Sequence, residues 1–380
     1  MTLFAGIGAR EARTQVLALA ERLQAPMVLT LKAKEGLEKG NAYQVGQSGL
    51  IGNPAATHAL EGGDLLLLIG TDFPYREWYP EGKMVIQIDA RAERIGRRID
   101  LGLVGHAAPT LDGELAKVES KTNDAHLRSS RDIYLAWTKH QAALTDPEHD
   151  RGVIGKIRER LDNTEQRIRP ELLAQAVTEL LAQAVNRHAS PDAVFTTDTG
   201  MCTVWLSRFV QMTDRRALLG SFNLGSMANA MPQALGAQAL DRTRQVIAFC
   251  GDGGISMLLG DLITAVSHNL DAKLIVFNNG RLGMVKLEQE QGGLPEFGTL
   301  LQNPDFAAVA RAIGRHAVRV EDPELVGAAV HAALTHPGAV LLDVVTNPQE
   351  ISVPGKVKLN QAWGFAISKI RETVLSGGDT

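Results

Sequence analysis

The stretch Val246-Ile247-Ala248-Phe249-Cys250-Gly251-Asp252-Gly253-Gly254 decides the fold, together with Lys273-Leu274-Ile275-Val276-Phe277-Asn278-Asn279 downstream. Each begins as a short, almost wholly apolar run of the kind a strand covered on both faces requires. Each ends abruptly in polar residues, and glycines follow the first run. The pattern after Gly251 predicts a helix over residues 255–268. Two apolar strands joined through a helix imply parallel pairing, so both polar ends lie on one edge of one sheet. In an open parallel sheet that edge is where ligands bind.

Working outward, residues 193–196 and 340–345 read as further strands of the same sheet. Residues 172–185, 306–313 and 323–334 read as helices. Toward the N-terminus the pattern repeats. Residues 2–5, 27–30, 64–70, 84–88 and 102–104 read as strands, with a helix over residues 10–23. The expectation is an α/β protein of two doubly wound parallel-sheet domains joined by a charged helical linker. Residues 1–120 form the first domain, a Rossmann-like one, and residues 121–169 the linker. Residues 170–350 form the second domain, and residues 351–380 a tail with a helix. The linker reads as a solvated connector, with a helix at residues 134–144.

Composition excludes several classes of function. The chain has 380 residues, 39 Lys and Arg against 43 Asp and Glu, and a net charge of −4, which is not the balance of a nucleic-acid binder. Aromatic residues make up 5%, too few for a base-stacking platform. Two cysteines, Cys202 and Cys250, cannot frame a disulfide scaffold or a thiolate zinc site, and they fit a reducing compartment. No run is long and apolar enough for a membrane span, and residues 1–13 do not read as a signal peptide. A cytoplasmic location is expected.

Asp252 and Asn279 stand 27 positions apart at two strand ends. One offers a hard anionic oxygen, the other an amide oxygen. A magnesium ion takes one or two carboxylates and fills its octahedron with carbonyl, phosphate and water oxygens. Gly251, Gly253 and Gly254 let the backbone approach a diphosphate, with helix-start amides facing it. Alternatively, Asp252 is an ordinary helix cap.

These motifs resemble the thiamine diphosphate enzymes, and more closely the pyruvate oxidases, also called ubiquinone-dependent pyruvate dehydrogenases. The segment Leu219-Gly220-Ser221-Phe222-Asn223-Leu224-Gly225-Ser226-Met227-Ala228-Asn229-Ala230-Met231-Pro232-Gln233 is similar to that family, as are Gly49-Leu50-Ile51-Gly52 and Gly70-Thr71-Asp72-Phe73-Pro74-Tyr75-Arg76. The resemblance implies that Asp252, Asn279 and the carbonyl of Arg281 ligate Mg2+, and that Thr199, Gly200 and Met201 touch the diphosphate. It implies that Met227 wedges under thiamine diphosphate, and that the Gly225 carbonyl accepts from its amino group. Plain core filling is the other reading of Met227. Met284 and Val285 would cover the substrate side. Glu288 would assist proton transfer where acetolactate synthases, close relatives, carry Trp. A solvated helix carboxylate is the other reading of Glu288.

For the first domain the resemblance implies FAD, held by Gly49, Leu50 and Ile51, by Gly70, Thr71, Asp72, Phe73 and Pro74, and by Asp89. A carboxylate after a strand can hold a ribose hydroxyl, though Asp89 can equally be a turn residue. Gly6-Ile7-Gly8 reads as a phosphate-approach turn lacking the third glycine. The implied activity is oxidative decarboxylation of pyruvate to acetate and CO2, with electrons passed through FAD to a quinone. The alternatives are an acetolactate-forming carboligase and a non-catalytic cofactor-binding module. The family's pyrimidine-binding domain, with its activating glutamate, precedes the flavin domain and is not matched here. The expectation is a homo-oligomer, with that domain supplied by another chain. A fragment, a mis-started frame and a half-enzyme all stay open. Residues 358–375 match the stretch before a lipid-binding segment that the sequence lacks, so membrane contact, if any, is peripheral.

Overall fold

The computed structural model describes residues 1–71, 78–96, 98–143, 191–322 and 325–346. Asp72, Phe73 and Pro74, the linker beyond residue 143, the helix expected at 172–185 and the tail over 351–380 lie outside the described residues. The chain divides into two units, each an α/β body around its own parallel sheet.

The first sheet holds β1 (Thr2–Ala5), β2 (Met27–Leu29), β3 (Leu65–Ile69), β4 (Met84–Asp89) and β5 (Leu101–Val104) in the order β2-β1-β3-β4-β5, every pair parallel. Its helices are α1 (Arg13–Leu23), α2 (Leu31–Leu37), α3 (Pro54–Gly62), α4 (Ala107–Leu115) and α5 (Ala125–Ala143). Successive strand side chains face opposite ways. Leu3, Ala5, Leu67 and Ile69 therefore pack with α1 and α4 on one face. Phe4, Leu66 and Leu68 pack with α3 on the other. This two-sided burial is what the leucine run of β3 encodes. Each such side chain contributes about 1.5–3 kcal/mol on leaving water.

The second sheet holds β6 (Val194–Thr197), β7 (Ala217–Gly220), β8 (Val246–Gly251), β9 (Lys273–Asn278), β10 (His316–Val320) and β11 (Val340–Val345) in the order β10-β11-β9-β8-β6-β7, again all parallel. Its described helices are α6 (Met201–Phe209), α7 (Ala230–Leu240), α8 (Asp252–Met257), α9 (Leu262–Ser267), α10 (Gly283–Gln291), α11 (Phe306–Ala312) and α12 (Val326–Thr335). One face buries Ala248, Cys250, Leu274 and Val276 against α7, α9 and α11. The other carries a row of rings, Phe195 beside Phe249 at 6.5 Å and Phe249 beside Phe277 at 5.3 Å.

Two elements differ from expectation. The helix expected over 255–268 begins earlier, at Asp252, and is broken by a 3-10 turn at Leu259–Asp261. The polar start of the expected connector is helical from Ala125, because Leu127 and Ser130 are buried and Ile133 and Tyr134 pack onto the first sheet's core. Among the described residues no helix is long and apolar enough to cross a membrane.

Candidate functional site

In the second sheet the direction of chain progression reverses at β6, which has β7 on one side and β8 on the other. A crevice opens there, beyond the carboxyl ends of the strands, as sheet topology requires. Its floor is built around Asp198, which follows β6 and is buried. One carboxylate oxygen of Asp198 accepts the N–H of Ala230 at 2.8 Å, and the other accepts the N–H of Gly251 at 3.2 Å. Burial pushes this carboxyl above the usual carboxylate range, and the main-chain donors pull it back.

The glycines after β8 have local causes. A Cβ on Gly254 would stand 2.1 Å from Asp198 Oδ2. A Cβ on Gly253 would stand 3.1 Å from Met227 Cε and 3.1 Å from Leu282 Cδ2. No side chain fits at Gly254, and one at Gly253 fits only if Met227 and Leu282 give way, so the glycines keep the amides opening α8 reachable from the crevice.

Asp252 is 4% exposed. Its Oδ1 accepts from Gly253 N at 2.8 Å, and its Oδ2 accepts from Gly280 N at 2.7 Å and Asn303 Nδ2 at 2.8 Å. Burial pushes its carboxyl up to about 6, against those hydrogen bonds. β9 runs beside β8 with Gly251 opposite Phe277, so the two polar strand ends are neighbours. Asn279 follows, its Oδ1 accepting Arg281 N at 2.9 Å across a tight turn in which Gly280 has φ +68°. Arg281 is held by a bridge to Leu300 and by an ion pair to Glu296. Among the described residues no ion pair reaches the Asp252 carboxylate. A buried carboxylate bonded only to N–H groups, beside an amide oxygen, is a donor set that fits a small hard cation.

Residues 221–229 bring Met227 to the crevice, beside Gly253. Gly225 has φ +71° and donates to Ser221 O at 2.8 Å. Ala228, a non-glycine residue, has φ +63°. Met227 between them lines the crevice. The structure thus brings together Thr199, Gly200 and Met201 from the tip of β6, Gly251 to Gly254 from the tip of β8, and Asn279 and Arg281 after β9. Met284 and Val285, at the start of α10, line the same crevice. Gly225 does not line it, although a Cβ there would lie 3.8 Å from Thr199 Cγ2. Glu288 does not line it either; it is exposed, one turn along α10 from Met284 and on the outward side with Val285.

In the first unit, Gly70, Thr71 and Asp89 lie at the carboxyl ends of β3 and β4, which are neighbours. Gly49, Leu50 and Ile51 precede α3, whose cap is Asn53. Asp89 accepts the Arg91 N–H at 3.0 Å, a turn bond. The Gly6-Ile7-Gly8 turn meets Gly70 backbone to backbone: a Cβ on Gly6 would lie 2.3 Å from Gly70 O, and one on Gly8 2.9 Å from Gly70 Cα. These glycines let the β1 and β3 loops touch. Sequence reasoning missed Gln87, wholly buried, which bonds Thr71 O at 3.2 Å and Arg94 O at 2.8 Å. It also missed Asn303 and the role of Asp198. An Asp-x-Gly after a strand was a readable signal for Asp198; Asn303 had none.

Residues 1–113 match the family model described as thiamine pyrophosphate enzyme, central domain. Residues 198–344 match that described as thiamine pyrophosphate enzyme, C-terminal TPP binding domain. A protein of Bacillus subtilis (strain 168), provisionally named as thiamine pyrophosphate-containing, is 32% identical over 370 residues, covering 96% of this chain and 59% of the relative. An acetolactate synthase large subunit of Parasynechococcus marenigrum (strain WH8102) is 29% identical, over 86% of this chain and 50% of the relative. A pyruvate oxidase of Lactiplantibacillus plantarum is 26% identical, over 96% of this chain and 58% of the relative. The chain therefore spans little more than half the length of these relatives. Two family matches, one on each sheet, and a relative 32% identical over 96% of this chain agree: this chain belongs to the thiamine pyrophosphate enzymes, of which it carries the central and the TPP-binding domains.

Proposed function

We propose that the crevice takes Mg2+ and thiamine diphosphate, that the first sheet's edge takes FAD, and that the protein oxidises pyruvate, with water, to acetate and CO2, passing two electrons and two protons to a quinone. The observation that carries the cofactor reading is the buried Asp252 carboxylate, which lies beside Asn279 at the reversal point of the sheet with no cation against it among the described residues. Asp252, the Asn279 side chain and the Arg281 carbonyl hold the metal, and Thr199, Gly200 and Met201 meet the diphosphate beside the glycine amides. Bound here, thiamine diphosphate supplies nucleophilic attack on a keto carbon and an electron sink, and FAD supplies a two-electron acceptor. Met227 shapes the space beneath the cofactor, and the Gly225 carbonyl accepts a hydrogen bond from it. Met284 and Val285 cover the substrate side. Glu288, one turn along α10 from Met284, assists proton transfer. Gly49, Leu50, Ile51, Gly70, Thr71, Asp72, Phe73, Pro74 and Asp89 hold the flavin. The domain division over residues 1–120, 121–169, 170–350 and 351–380 is proposed with it. So are assembly as an oligomer around a pyrimidine-binding domain from another chain and a cytoplasmic location with peripheral membrane contact.

Calorimetric titration tests the cofactor reading. Wild-type protein should take up thiamine diphosphate only with a divalent cation, and Asp252→Ala should abolish that uptake; cation-independent binding rejects the metal site. The acetolactate synthase relatives favour a second reading, carboligation. Products from pyruvate separate the two, once the partner domain is supplied. Acetate with acceptor reduction supports oxidation, and acetolactate with none supports carboligation. Glu288→Gln should slow oxidation at unchanged cofactor affinity, and unchanged turnover would remove Glu288 from the mechanism.

A further inference from the structure

A chain of side-chain amides and carboxylates runs inward from the second sheet to Asp252. Arg319 on β10 and Asp343 on β11 are cross-strand partners, and Arg319 Nη1 donates to Asp343 Oδ2 at 2.7 Å. Asp343 is 0% exposed. Its Oδ1 accepts from Asn278 Nδ2 at 2.9 Å. Asn278 Oδ1 accepts from Asn303 Nδ2 at 2.9 Å, and the same Asn303 nitrogen donates to Asp252 Oδ2 at 2.8 Å.

The direction of this chain is forced. A carboxylate paired to Arg319 can only accept, so Asn278 must turn its NH2 toward Asp343 and its oxygen toward Asn303. Asn303 must then turn its NH2 inward, and its two protons serve Asn278 and Asp252. Asp252 Oδ2 has a second donor, Gly280 N, at 2.7 Å. Both of its lone pairs are thereby taken. Oδ1 has one donor, Gly253 N, and keeps one lone pair. The segment bearing Asn303 is itself pinned, because Asp305 caps α11 by accepting Ala308 N at 2.7 Å.

We infer that Asn303 is a positioning residue: with Asn278 and Asp343 behind it, it commits Oδ2 of Asp252 to the protein and leaves Oδ1 as the oxygen that ligates the cation. The inference rests on the metal-diphosphate reading above. A fixed ligand direction matters most to Mg2+, which demands a near-ideal octahedron, and less to Ca2+, whose coordination is flexible.

The test is calorimetric binding of thiamine diphosphate to the full chain, with Mg2+ or with Ca2+, for wild type, Asn303→Leu and Asn303→Ala. Leu keeps the volume and removes both donors; Ala covers the case in which Leu perturbs folding, which circular dichroism and the apo melting temperature report. Loss of an outer-shell partner typically weakens metal binding about 10–100-fold. The expected result is a loss of that size with Mg2+ and a much smaller loss with Ca2+; the fall in apo melting that follows from taking a donor from Asn278 Oδ1 and Asp252 Oδ2 weakens binding with both ions alike and does not produce the difference. Equal losses with both ions, or no loss with either, overturn the positioning role while leaving the metal site standing. Wild-type protein that takes up thiamine diphosphate with neither ion overturns the site and this inference together.

Discussion

The Asp198 carboxylate accepts the main-chain N–H of Gly251 at 3.2 Å, which ties the tip of β6 to the tip of β8 one residue before Asp252. Its other oxygen holds the Ala230 N–H at 2.8 Å, at the start of α7. One buried side chain therefore sets the spacing of three backbone segments around the crevice. In Asp198→Asn one of the two N–H groups faces an NH2 and loses its acceptor. An unsatisfied buried donor costs about 1–3 kcal/mol. Urea unfolding followed by circular dichroism should show a loss of that size, with weaker thiamine diphosphate binding. Full stability in the Asn variant would mean the three segments hold their places without the carboxylate.

Two glycines make a matched pair of predictions. Gly254→Ala puts a Cβ 2.1 Å from Asp198 Oδ2 and 3.2 Å from Ala228 N, and backbone atoms cannot move aside cheaply. Overpacking of this kind costs about 1–3 kcal/mol, and cofactor binding should go with it. Gly236 lies within α7, exposed, where a Cβ meets nothing within 4 Å. Gly236→Ala should stabilise by about 0.5–1 kcal/mol, because glycine is a poor helix former. Thermal melts of the two variants should shift in opposite directions.

The strand ends that carry Asp252 and Asn279 were legible because the chemistry and the strand signal share one short stretch. The apolar runs of β3, β8 and β9 announce two-sided burial, and their polar stops announce the edge. Asn303 was not legible. Its bond to Asp252 spans 51 positions and depends on how residues 292–305 fold back over β9. Composition misled at α5, whose polar sequence hides the buried Leu127 and Ser130. At Gly6 and Gly8 the glycine pair read as a phosphate-approach turn has a second use that the sequence did not announce, contact with Gly70.

Ala228 holds a left-handed backbone at φ +63°, immediately after Met227. That conformation costs a non-glycine residue about 1–2 kcal/mol. Ala228→Gly removes the cost but adds freedom to the unfolded chain. The net effect should be a melting temperature equal to or slightly above wild type. Thiamine diphosphate affinity should nevertheless fall, since a glycine no longer fixes the direction in which Met227 points. A variant that loses stability and affinity together would show that Ala228 acts by packing, not by holding the loop.

Lys273 gives a pH dependence that begins below that of its neighbour Arg315, which burial pushes down to about 10. It is buried at the start of β9 and donates to His336 O at 2.6 Å and to Gly338 O. Burial pushes its ammonium down to about 8, with Asp271 opposing the shift and Arg315 adding to it. The unfolded chain keeps that proton to about 10.4. Between these values the unfolded state binds more protons, so stability rises with pH, by at most about 1.4 kcal/mol per pH unit for one site. Below about pH 8 both states are charged and the slope vanishes. Lys273→Met removes the titration and also leaves two carbonyls short of a donor, so its baseline stability is lower. Denaturation at intervals from pH 7 to 10.5 should show the wild-type curve rising relative to the variant only above about pH 8. Parallel curves across that range would mean that Lys273 stays charged in the fold through the whole interval.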